Sequence, residues 1–125
     1  VDHAGAQGFP ADPPSPTVET LSRPTVLVVH ETPYPVVDQD GNLLHDGDPN
    51  RANIGEFVRK AEFEIDLVTS GHLHVGELVS LRGVGTPVAI TGSTIPISTY
   101  EPNSQPSIWV VTEAEHGIDI RQAPI

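Results

Sequence analysis

The sequence has no cysteine and no methionine, and Lys60 is its one lysine among 125 residues. Without cysteine there is neither a disulfide frame nor a thiolate site, and the redox compartment stays open. No run approaches 18 apolar residues, which excludes a membrane-spanning helix. The first residues, Val1-Asp2-His3-Ala4-Gly5, have neither a basic region nor an apolar core. They do not read as a signal peptide, so a cytoplasmic location is expected. An initiating methionine is also missing, which points to a processed or truncated start.

Positive charge is scarce as well. Six basic residues face 17 acidic ones, for a formal charge of -11. Such a surface repels phosphate backbones and anionic lipids, which argues against electrostatic nucleic-acid binding. An enzyme of phosphate esters could still work if metal ions supplied the missing positive charge. The acidic surface, with arginine favoured over lysine, also fits a salt-loving organism.

What is present favours turns and short elements. Hydrophobic residues make up 37%, with 13 prolines and 11 glycines. The length suits one small domain and not two. Residues 1–24, with Pro10, Pro13, Pro14 and Pro16, read as an extended arm with a short helical turn at 17–22. Residues 1–8 could also be the end of a strand of something larger. Residues 25–29 are a continuous apolar run, expected as a strand buried on both faces and ending at His30. Residues 31–35 read as a stiff loop, because two prolines fix their φ angles.

Val36-Val37 and Leu43-Leu44 flank Asp40-Gly41, a strong hairpin-turn signal. Asp38-x-Asp40-x-Asn42 resembles the start of a calcium loop, but Leu43 stands where its glycine belongs and Pro49 where its last carboxylate belongs. Asn53-x-x-Glu56 is a capping pair for a helix whose apolar stripe is Ile54, Phe57, Val58 and Ala61. Arg51, Arg59 and Lys60 read as its solvated face. Residues 77–82 and 87–91 read as strands, followed by a small-residue turn at Gly92-Ser93. Residues 107–112 and 117–121 form a closing hairpin with Trp109 in the core. Ile118 and Ile120 alternate with Asp119 and Arg121, one face buried and one wet. His3, His45 and His116 read as solvated.

The stretch around which the chain is organised is Ile65-Asp66-Leu67-Val68-Thr69-Ser70-Gly71-His72-Leu73-His74-Val75-Gly76. It reads as a buried strand running into a tight loop that lifts two imidazoles above a sheet edge. Neighbouring strand tips lie ~4.8 Å apart, so His30 and the His72/His74 pair can converge on one point. Imidazoles held together suit zinc, iron, manganese or nickel. Two solvated loop histidines are the plain alternative.

A strand ending in His30, then a helix, then a strand ending in Gly71-His72-Leu73-His74 resembles the C-terminal half of the calcineurin-like metallophosphoesterase family. The likeness covers residues 25–120, including the Gly92-Ser93 turn and the closing hairpin. It implies an α/β, β-rich fold: residues 25–125 as half of a four-layer α-β-β-α sandwich. It also implies two divalent ions (Mn, Fe or Zn), with His30 and His72 on one and His74 on the other. The substrate implied is a phosphomonoester or phosphodiester.

The family's earlier motifs do not precede His30: its Asp-x-His, its Gly-Asp with the bridging aspartate, and the Asn-His pair that supplies the general acid. Asp2-His3 lacks the gap, and Gly41-Asn42 and Gly47-Asp48 follow His30 and read as turns. No catalytic residue is therefore identified in this chain. A half-domain would expose sheet edge and apolar face, so a complementing N-terminal half or a second copy is the expected partner. The alternative is a non-catalytic binding or structural module with at most one metal ion. A single-metal barrel of the cupin kind also uses His-x-His, but the α-to-β unit before Gly71 argues against it.

Overall fold

The computed structural model describes residues 10, 12–18, 24–73, 76–91, 107–115 and 117–124. The strand end expected at 1–8, nearly all of the helical turn at 17–22, the Gly92-Ser93 turn, His3, His74 and His116 lie outside them. The described chain is a strand-rich α+β fold. Its main sheet has six strands: β1 (Val26–Val29), β3 (Val36–Val37), β4 (Leu43–Leu44), β6 (Leu67–Ser70), β7 (Glu77–Leu81) and β8 (Pro87–Ile90). They lie in the order β1-β6-β8-β7-β3-β4. β1, β6 and β8 are parallel, while β7, β3 and β4 extend the sheet antiparallel.

Side-chain alternation divides the sheet into two faces. Val29, Val68, Val79, Leu81, Val88 and Ile90 form one core with Ile54 and Phe57 of helix α1 (Ile54–Lys60). The helix starts where the capping pair predicts: the Asn53 side chain accepts from the Glu56 amide at 3.0 Å. Its first turn packs tightly, since a Cβ on Gly55 would lie 2.9 Å from Pro35 Cδ. The hairpin pairing Val36 with Leu44 and Val37 with Leu43 also forms as expected, and the Asp38 carboxylate accepts the amides of Asp40 and Asn42 at 2.9 Å each. Those bonds, led by the Asn42 amide, hold the Asp38 carboxyl below its usual range.

Several expectations are corrected. Residues 25–29 are not buried on both faces: among the described residues β1 is an edge strand, with Val26 41% and Val28 75% exposed. An apolar run marks a strand without saying how many neighbours it has. The stiff loop at 31–35 contains strand β2 (Thr32–Tyr34), which pairs in parallel with β5 (Arg51–Asn53). Arg51 is therefore on a strand, and its guanidinium lies 4.6 Å from the Tyr34 ring centre.

The closing hairpin is longer than the sequence suggests, β9 (Ser107–Ala114) against β10 (Gly117–Pro124). Trp109 is half-buried rather than core, and its indole N–H donates to the Thr91 carbonyl at 3.1 Å. Its register partner Gln122 comes close to Gly76. Gly117 and Ile118 at the hairpin's other end line a cavity of about 330 Å³ with residues 64–66 and 84–87. Among the described residues, no helix is long and apolar enough to cross a membrane.

Candidate functional site

Parallel strands β1, β6 and β8 end along one edge, because Val29 pairs with Ser70 and Ser70 with Ile90. Such carboxyl edges are where open α/β sheets place ligand sites. Glu77, at the start of antiparallel β7, completes the row opposite Ile90. The residues just past these tips are the ones that the sequence singles out.

Ser70 organises the edge. It is 2% exposed, and its hydroxyl is within reach of the Glu31 carbonyl at 2.9 Å and the His30 carbonyl at 3.3 Å. The His72 amide approaches the same oxygen at 3.5 Å. The Thr91 amide donates to the Ser70 carbonyl at 2.9 Å, tying in β8. A buried polar atom must find partners, and here its partners are the backbones of the two histidine-bearing tips.

The result is that His30 and His72 stand together. Their ring centroids are 5.4 Å apart and the planes meet at 77°, edge to face. His30 is exposed and His72 half-buried. The predicted convergence therefore holds for these two, whereas His74 lies outside the described residues.

Sequence reasoning missed a carboxylate. Asp48, read as part of a turn, places Oδ2 3.5 Å from His72 Nε2. The same oxygen accepts from the Thr32 hydroxyl at 2.5 Å, and Oδ1 accepts from the Asn50 amide at 2.8 Å. Desolvation is the largest influence on this carboxyl and pushes its pKa up. The Thr32 hydroxyl, the Asn50 amide and the nearby His72 and His45 rings together outweigh it and hold the carboxyl below its ordinary range. Two strands and a helix separate Asp48 from His72 along the chain, and no local motif links them.

His45 is not solvated as expected. It takes a left-handed backbone (φ 55°), and its Nε2 contacts Glu77 Oε1. The Asp48 amide donates to the His45 carbonyl at 3.2 Å, so one turn carries both residues. Left-handed backbone is uncommon for a residue with a Cβ and persists only where the surroundings hold it. Here the Glu77 contact holds it.

Imidazoles beside a carboxylate are a donor set suited to zinc, iron or manganese. Among the described residues, no three His, Asp or Glu side chains form a group that could hold a metal ion. The described chain supplies two neighbouring imidazoles with Asp48 against one of them. No protein-family model matches the chain, and neither does a curated protein or a solved structure.

Proposed function

We propose that this chain carries the histidine half of a divalent-metal site for phosphate-ester hydrolysis, arranged as in the C-terminal half of a calcineurin-like metallophosphoesterase. The observation that carries the reading is the pairing of His30 and His72 at adjacent parallel strand tips. In it, His30 and His72 serve one ion and His74 a second, the ion being Mn²⁺, Fe²⁺ or Zn²⁺. A metal bound there would supply an activated hydroxide and offset charge on the phosphate. The chain's own part is to hold imidazoles on a rigid sheet edge through Ser70 and Thr91. With a formal charge of -11, the protein offers an anionic substrate little cationic surface of its own.

A complementing segment bringing the remaining ligands and the general acid is part of this proposal. Val26 and Val28 on the outermost strand support it, because they are apolar, exposed, and border an unpaired strand edge among the described residues. The test is calorimetry with Mn²⁺ and Zn²⁺, followed by hydrolysis of an aryl phosphate with and without such a segment. Metal binding by the chain and turnover with the segment are expected. A complemented protein that binds neither ion overturns the reading.

A second reading is a non-catalytic module holding one ion. It takes the one imidazole pair that the described residues bring together, His30 with His72, as ligands of a single ion. Metal binding at one equivalent, with no phosphatase activity in the complemented protein, would select it.

A further inference from the structure

The strongest feature that the histidine reading does not absorb is the turn carrying His45 and Asp48. It is anchored at both ends. His45 contacts Glu77, whose strand position is opposite Ile90, next in the row to Ser70. Asp48 is held by the Thr32 hydroxyl and the Asn50 amide, and Thr32 itself is fully buried. The Asp48 side chain is 13% exposed, so this carboxylate cannot swing freely into water. It is fixed before it meets His72, and it meets His72 at one ring nitrogen, Nε2.

We propose that Asp48 is the positioning residue of His72: it holds Nε2 in the protonated form and so leaves Nδ1 as the ring's lone pair for a metal ion. This rests on the histidine site proposed above. The chemistry is that of a carboxylate acting behind a metal-ligating histidine, where the second nitrogen's partner sets tautomer and ring orientation. Neutral imidazole carries one N–H and one lone pair, so fixing the proton on Nε2 fixes the lone pair on Nδ1. The 3.5 Å separation is slightly beyond hydrogen-bond length, yet a shielded carboxylate this close to Nε2 favours the tautomer with its proton there. This carboxylate comes from between His30 and His72 in the chain, and it supports a ligand rather than replacing the bridging aspartate.

The test is read first on the metal-free chain. Nitrogen–proton correlation spectra of the imidazoles, with His72 assigned through His72→Gln, should show one fixed Nε2–H tautomer whose proton exchanges slowly. Asp48→Asn should leave the ring averaging between tautomers, whereas Asp46→Asn, on the same turn but exposed, should leave it unchanged. Mn²⁺ titration should then give a Kd about 10–100-fold weaker for Asp48→Asn. If His72 in the parent chain is already averaged or protonated at Nδ1, the proposal is overturned by the parent spectrum alone. It is overturned equally if Asp48→Asn leaves the His72 spectrum unchanged. If the spectra change as expected but neither the chain nor the complemented protein binds metal, the effect of Asp48 on the His72 ring stands and the metal reading is what fails.

Discussion

Replacing Ser70 with alanine perturbs the edge at its most connected atom. The hydroxyl is buried, and it is the donor within 2.9 Å of the Glu31 carbonyl. Removing it deletes a hydrogen bond worth about 1 kcal/mol net and leaves a shielded carbonyl short of a donor, a loss of about 1–3 kcal/mol altogether. The alanine methyl recovers a little, since a buried hydroxyl is itself costly to desolvate, but less than the orphaned acceptor loses. For a domain of this size the expected fall in Tm is roughly 4–10 °C. The same hydroxyl spans the tips bearing His30 and His72, so metal affinity should drop about tenfold, as when a ligand's outer support is lost. Thermal unfolding by far-ultraviolet circular dichroism reads the first effect and Mn²⁺ calorimetry the second. A variant within a degree of wild type and with unchanged affinity would refute the role given to Ser70.

Gly55→Ala gains about 1 kcal/mol of helix propensity, but its Cβ would stand 2.9 Å from the rigid Pro35 ring. Overpacking of about 1–3 kcal/mol should win, so urea denaturation is expected to show net destabilisation. Asn53→Ala removes the acceptor for the Glu56 amide and should lower stability by about 1 kcal/mol in the same assay. Asp48 has a depressed pKa in the folded chain, so its contribution is present above the unfolded value of about 3.9 and is lost as pH falls through the lower folded value. Wild type should therefore lose more stability than Asp48→Asn below about pH 4 in acid titrations followed by circular dichroism.

The sequence made legible whatever depends on neighbours along the chain. Asn53 and Glu56 announce the helix start, Asp40-Gly41 the hairpin, and the β-branched runs before His30 and Gly71 the strands. It did not reveal β2 and β5, because Thr32-Pro33-Tyr34 finds its partner in Arg51-Ala52-Asn53, across a whole hairpin. Nor could it place β1 at the edge, since Val26 and Val28 are as apolar as the residues of any central strand. The same limit applies at the site. His30 and His72 were visible because each follows a strand, and parallel tips share an edge. Asp48 and His45 reach that edge from a turn, through contacts with Thr32, His72 and Glu77 that leave no periodic trace.

The most direct measurement is a Zn²⁺ titration followed at the His30 and His72 ring resonances of the full chain. The two rings should shift together and saturate at the same metal equivalent, and His30→Ala should weaken the response of His72. Rings that respond separately, or not at all, would contradict a shared metal site at these strand tips.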